Sequence, residues 1–162
     1  MRFRALEPSD IDLLYNAEND LEAMLQGDLY APLSRRILEL YIRDYDADPL
    51  RAGQLRLVIC DEEPIGLLDF YEVSARDANA QVAILILPQF RGRGLGLQAV
   101  RLAKDYARAI IGLKSLAVRI HTDNDASRRL FAKAGFDYIG TMRQWHFSDG
   151  RLRDVEIRQC LL

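Results

Sequence analysis

Between positions 88 and 96 the chain reads Pro88-Gln89-Phe90-Arg91-Gly92-Arg93-Gly94-Leu95-Gly96, three glycines interleaved with arginines just ahead of a helix-forming stretch. Glycine lets a backbone approach a ligand closely and take positive φ, which turns successive N–H groups toward one point. A helix starting there adds the positive end of its dipole. The segment is therefore predicted to hold an anion, with Arg91 and Arg93 adding charge at the rim. Spacing separates it from two other phosphate loops. A dinucleotide fingerprint beginning at Gly92 needs Gly at position 97, where the chain has Leu97, and it belongs to an early strand–helix unit. A nucleoside-triphosphate loop needs Gly-Lys-Ser/Thr, which this segment lacks.

The other reactive side chains read more plainly. His121 and His146 have no partner at metal-ligand spacing, and each alternates within a strand-like run, so both read as structural and no metal site is expected. Cys60 and Cys160 each sit in an apolar run and read as buried free thiols of a cytoplasmic protein.

The elements that position the turn follow from periodicity and caps. Strands are expected at 2–6, 55–60, 65–73, 80–87, 115–121, 136–147 and 151–160, the last two closing a hairpin about Asp149-Gly150. Helices are expected from Ser9, with Asp12 at capping-box spacing, and from Ser34, where Ile37, Leu38, Tyr41 and Tyr45 recur on one face. A third follows the glycine turn and ends near Gly112, and a fourth runs from the cap Asn124 to Ala134, before Gly135. This order gives an α/β (α+β) domain over 1–162, with a mixed sheet of about seven strands and about four helices on its faces. An apolar fraction of 49% and a charged fraction of 28% suit one globular core. With 24 acidic and 22 basic residues, bulk charge attracts neither nucleic acid nor an anionic membrane. Nothing in the sequence reads as a secretory signal or a membrane span.

Arg91-Gly92-Arg93-Gly94-Leu95-Gly96 resembles the Gln/Arg-x-x-Gly-x-Gly/Ala signature of the GCN5-related N-acetyltransferase (GNAT) family. A second signature is similar to Asn124, Ser127, Leu130-Phe131 and Gly135-Phe136, and the closing Gly140…Asp149-Gly150…Asp154 resembles the branch of ribosomal-protein and spermidine acetyltransferases. The resemblance covers essentially the whole chain. It implies an acetyl-CoA-dependent N-acetyltransferase whose splayed parallel strands admit the pantetheine arm. By position, backbone groups of Ile84, Leu85 and Ile86 would pair with the pantetheine amides. Backbone N–H groups of Arg91, Gly92, Arg93, Gly94, Leu95 and Gly96 would hold the pyrophosphate, and Asn124 with Ser127 would meet the pantetheine or acetyl region. Arg128, Arg129 and Lys133 would reach the 3′-phosphate or form a solvated face.

Transfer of an acyl group to an amine needs an unprotonated nucleophile and a proton for the departing thiolate. Many relatives carry Tyr where this chain has Phe131, and Glu where it has Gln81. Ser127, one helical turn before Phe131, is the candidate acid, or else a local helix-start hydrogen-bonding group. Glu72 is the candidate base; Asp69, three residues earlier, is expected on the opposite face by strand alternation. The tyrosines at 15, 30, 41 and 45 are placed in the two N-terminal helices, and Trp145 reads as core or groove wall. Where spermidine acetyltransferases cluster carboxylates, this chain reads Gly27-Asp28-Leu29-Tyr30, so a small-molecule amine, a polyamine, an amino sugar and a protein N-terminus all stay open as acceptors. The changes at Phe131 and Gln81 also admit an acyl-CoA-binding regulatory module. Leu152, Val155 and Ile157 fit either a homodimer contact or a buried sheet face.

Overall fold

A computed structural model describes residues 1–27 and 30–162. Seven strands form one sheet: β1 (Arg2–Arg4), β2 (Leu55–Cys60), β3 (Pro64–Ser74), β4 (Asn79–Ile86), β5 (Ser115–His121), β6 (Asp137–Ser148) and β7 (Arg151–Leu161). Their order is β1-β2-β3-β4-β5-β7-β6, and β4–β5 is the parallel pair. The helices are α1 (Ile11–Glu18), α2 (Leu21–Gln26), α3 (Arg35–Arg43), α4 (Pro49–Ala52), α5 (Leu95–Tyr106) and α6 (Asp125–Lys133). A π-helical turn, Ala107–Ile111, extends α5 to Gly112, which takes φ of +85°. No helix among the described residues is long and apolar enough to cross a membrane.

Strand alternation divides the interior into two cores. Leu57, Ile59, Leu68, Phe70 and Val82 face Val100 and Ala103 of α5 and Phe131 of α6. Val58, Cys60 and Leu67 face Leu14 of α1 and Leu38 of α3. Strands β2 and β3 are thus covered on both sides, which is why their sequences read as nearly continuous apolar runs. Cys60 and Cys160 are buried free thiols belonging to opposite cores.

Among the described residues there are six helices where about four are expected. Both additional ones are too short to carry a hydrophobic stripe, but each has a cap: Asp20 accepts from Ala23 N–H at 2.9 Å, and Asp48, ahead of Pro49, accepts from Leu50 N–H at 3.0 Å. The first helix is not capped by Ser9 and Asp12. A 3₁₀ turn over Pro8–Asp10 precedes it, and Asp10 accepts from Glu7 N–H at 2.8 Å while binding Arg4 through both oxygens at 2.6 and 2.7 Å. A buried carboxylate already held by a guanidinium is the stronger acceptor, and Asp12 instead pairs with Arg35. Tyr15 and Tyr41 lie in α1 and α3, but Tyr30 is exposed between helices and Tyr45 follows the end of α3.

Candidate active site

Strands β4 and β5 pair only through Asn79–Ser115, Ala80–Leu116 and Gln81–Ala117. Beyond that point β4 stays with β3 as far as Gly66–Ile86, and β5 stays with β7 as far as His121–Val155. The parallel pair therefore opens into a fork, and the wedge between its arms is a cleft of about 970 Å³. Ile84, Leu85 and Ile86 line one wall, on the strand edge that no longer has a β partner. An unpaired edge inside a cleft is suited to a ligand chain carrying amides, which can add as a strand. Gly66 fixes this edge from behind: a Cβ there would lie 2.1 Å from the Leu85 carbonyl oxygen, so only glycine lets β3 approach β4 so closely.

At the mouth of the fork β4 ends in a 3₁₀ turn at Pro88–Phe90, and the glycine segment leads into α5. Gly92 and Gly94 take φ of +77° and +75°, and a Cβ on either would meet open space. Gly94 is the N-cap of α5 and supplies no side-chain cap to its first amides, and Gly92, Gly94, Leu95 and Gly96 all line the cleft. These features fit a bound pyrophosphate. Arg91 also lines the cleft, though its side chain is committed, donating to the Ile86 carbonyl at 2.9 Å and to Glu22 at 2.8 Å. Arg93 lies outside the lining, with its guanidinium 5.7 Å from the Phe90 ring centroid.

Asn124 and Ser127 enter the cleft from the start of α6. Asn124 caps that helix by accepting from Ser127 N–H at 3.0 Å, and its amide donates to Gln26 of α2 at 3.3 Å. Phe131 turns away into the core, 2% exposed and edge-on to Phe136 at 5.1 Å. Arg128 is held by Glu156 at 2.8 Å and Asp125 at 3.0 Å, leaving Arg129 and Lys133 on the exposed face.

Asp69 and Glu72 share the cleft, contrary to simple alternation. The β3–β4 register shifts between Tyr71 and Ser74, and Glu72 takes φ of +50°. This bulge returns Val73, rather than Glu72, to the α5 core. Both Glu72 oxygens accept from Arg119 of β5 at 3.0 Å. Deeper in, Arg56 binds Glu18 and is 2.6 Å from Asp69. Burial disfavours the Arg56 charge, but the two carboxylates hold it firmly protonated. Beside it Tyr41 is pushed up to about 12, chiefly by burial. Among the described residues, Glu18, Glu22, Asp69 and Glu72 line the cleft against Arg56, Arg91 and Arg119, an excess of one negative charge. Asp28 and Leu29, in the segment compared above with spermidine enzymes, lie outside the described residues.

Sequence reasoning missed Arg56 and Arg119, whose partners are distant along the chain, and treated His121 and His146 as unrelated. Both histidines line the cleft, with ring centroids 4.6 Å apart. Trp145 is a groove wall, 63% exposed.

Residues 1–137 match the family profile described as an acetyltransferase (GNAT) domain. The spermidine N(1)-acetyltransferase of Escherichia coli is 26% identical over 162 residues, spanning 99% of this chain and 85% of that protein. A crystal structure of the spermidine N-acetyltransferase of Vibrio cholerae with CoA and spermine aligns with a TM-score of 0.88 at 25% identity, covering 99% of this chain and 94% of that one. A shorter likeness, 38% over 63 residues, is to the N-alpha-acetyltransferase RimI of Mycobacterium tuberculosis, covering 39% of this chain and 37% of that protein.

Proposed function

This chain belongs to the GNAT acetyltransferase family, and we propose that its acceptor is a small aliphatic amine, with polyamines the first class to test. It is an acetyl-CoA-dependent N-acetyltransferase acting on an amine. The observation that carries the residue assignment is the β4–β5 fork, with an unpaired edge on one arm and an uncapped helix start at its mouth. In this reading residues 1–162 act as one catalytic domain.

Ile84, Leu85 and Ile86 receive the pantetheine amides on the free edge of β4. Backbone N–H groups of the segment from Arg91 to Gly96 hold the pyrophosphate, with Arg93 contributing main chain only. Asn124 orients the pantetheine end through its amide, and Ser127 supplies the proton that the thiolate takes up. Acetyl-CoA, when bound, supplies the activated thioester. Glu72, the base expected from the sequence, lies on the acceptor side with both carboxylate oxygens on Arg119; it acts as a base only when that pair opens, and while the pair is closed the proton must leave through another group.

The acceptor class rests on the spermidine-acetylating relatives and on the surplus negative charge of the cleft. Each of those carboxylates already has an arginine partner, so a polyamine must compete with internal cations. The test is thiol release from acetyl-CoA with spermidine, spermine, short diamines, an amino sugar and peptides bearing free N-termini. The expected order of kcat/KM puts the di- and polyamines first. Preference for peptide N-termini would contradict this acceptor. A CoA-dependent rise in Tm without turnover across the panel would support the regulatory-module reading instead. Homodimerisation would use Leu152, exposed beside Phe147 on the edge hairpin, whereas Val155 is buried in the sheet. Sedimentation velocity tests it.

A further inference from the structure

His121 closes β5 and His146 lies on β6, two strands separated by β7. Their rings meet because β6 is bulged: between the pairs Met142–Val155 and His146–Arg153, three residues of β6, Arg143 to Trp145, stand against the single Asp154 of β7. Gln144 takes φ of +49° at the bulge, and its N–H is held by the Asp154 carboxylate at 2.8 Å. Bulges of this kind re-aim side chains, and this one sets His146 against His121 with centroids 4.6 Å apart and planes tilted by 41°. His121 is 6% exposed and His146 is half-buried, so the pair runs from the floor of the cleft toward its surface. Ser127 and Arg119 line the same cleft.

We propose that His121 and His146 are the proton exit of acetyl transfer, His121 removing the proton from the acceptor ammonium and His146 releasing one to water. This rests on the amine-acetyltransferase reading above. Imidazole is the side chain whose ordinary pKa, about 6.5, lets it accept a proton near neutrality. The two rings are in contact, so a proton taken up by one ring has the other beside it. Most fixed charges on the surrounding elements are already neutralised in pairs: Glu72 of β3 with Arg119 of β5, Asp123 with Arg153 of β7, and Glu156 of β7 with Arg128 of α6. Tyr71 of β3 lines the same cleft, and Arg143 of β6 and Asp154 of β7 are the ionisable residues at the bulge itself.

The protons balance. One ammonium N–H bond breaks and its proton passes through His121 and His146 to water. The freed lone pair forms the N–C bond as the C–S bond breaks. The amide nitrogen loses its second proton, and the thiolate gains one through Ser127. One acetylated amine, one CoA thiol and one solvent proton result.

The test is the pH dependence of kcat for spermidine in the native enzyme and in His121→Asn and His146→Asn, with CoA binding measured in parallel. The native profile should rise through a limb in the imidazole range, about 6–7. His121→Asn should lower kcat at neutrality about 100-fold, leave CoA affinity unchanged, and recover as pH approaches the amine's own pKa, about 10.4. His146→Asn should lower kcat less and shift the limb. Native-like kcat and profile in His121→Asn overturn the proposal. If that variant fails to fold, an unshifted limb in His146→Asn overturns it, as does a native enzyme with no limb in the imidazole range. A native enzyme that binds CoA yet acetylates no amine refutes the underlying reading instead.

Discussion

Arg91 in the glycine-rich turn donates to Glu22 of α2 at 2.8 Å, so the segment proposed to seat a pyrophosphate is tied to the helix across the cleft mouth. Asn124 makes a second tie to the same helix through Gln26. The Arg91–Glu22 pair is exposed on both sides, and such pairs stabilise a fold by about 0.2–1 kcal/mol at most. Its consequence is competition, since a phosphate must draw Arg91 from Glu22 before using its charge. Glu22→Gln is expected to leave Tm nearly unchanged and to tighten CoA binding by about 3-fold, within the energy of one exposed pair. Calorimetric titration of CoA checks it.

Gly66 is the tightest constraint on the fork. A methyl at this position meets main chain, the Leu85 carbonyl, rather than a side chain that can rotate away. Gly66→Ala is expected to cost roughly 2–3 kcal/mol through forced backbone movement. Tm should fall by about 5–10 °C for a chain of this size, and CoA affinity should fall with it because the displaced strand is the cleft wall. Thermal melts with and without CoA give both numbers.

Ser127 and Phe131 make a paired prediction. Ser127 lines the cleft while Phe131 packs in the core. Ser127→Ala is expected to lower kcat by about 100-fold at unchanged KM for acetyl-CoA, the range of a lost proton donor. Phe131→Tyr should not restore that loss. Its new hydroxyl would be buried against Phe136, destabilising the fold by about 1–3 kcal/mol. Steady-state kinetics and melts on the single and double variants check both halves.

The Arg4–Asp10 pair sets an acid limit on stability. Burial pushes the Asp10 carboxyl up, but Arg4 and the Glu7 N–H outweigh it and hold the group below its usual 3.8. A carboxyl depressed in the fold contributes stability above its unfolded value and loses it as pH falls through its folded value. Asp10→Asn, leaving a partly exposed Arg4 unpaired, is expected to cost about 2 kcal/mol at neutral pH. Its Tm should also fall less steeply than the native protein's below about pH 4. A pH series of melts gives the comparison.

The glycine turn and the start of α6 were legible in the sequence because each is built from a short contiguous segment. The glycines at 92 and 94 and the cap at 124 do their work within a few residues, so spacing alone exposes them. The rest of the cleft is assembled by contacts between distant residues: Arg56 with Glu18, Arg119 with Glu72, His121 with His146. Two bulges, near Glu72 and Gln144, decide which side chains face the cleft. A bulge breaks the two-residue period on which strand reading depends. Helices α2 and α4 escaped because six and four residues cannot display a helical stripe, although their Asp caps stand in the sequence.

The most direct test of the seat itself compares two ligands on two proteins. CoA and pantetheine, which lacks the pyrophosphate and nucleotide, are titrated calorimetrically into the native chain and Gly94→Ala. At φ of +75° an alanine strains the turn by about 1–2 kcal/mol and disturbs its amides. CoA affinity is expected to be about 10-fold weaker in the variant, roughly 1.4 kcal/mol, with pantetheine binding unchanged. Equal CoA affinity in the two folded proteins would contradict a pyrophosphate held at this turn.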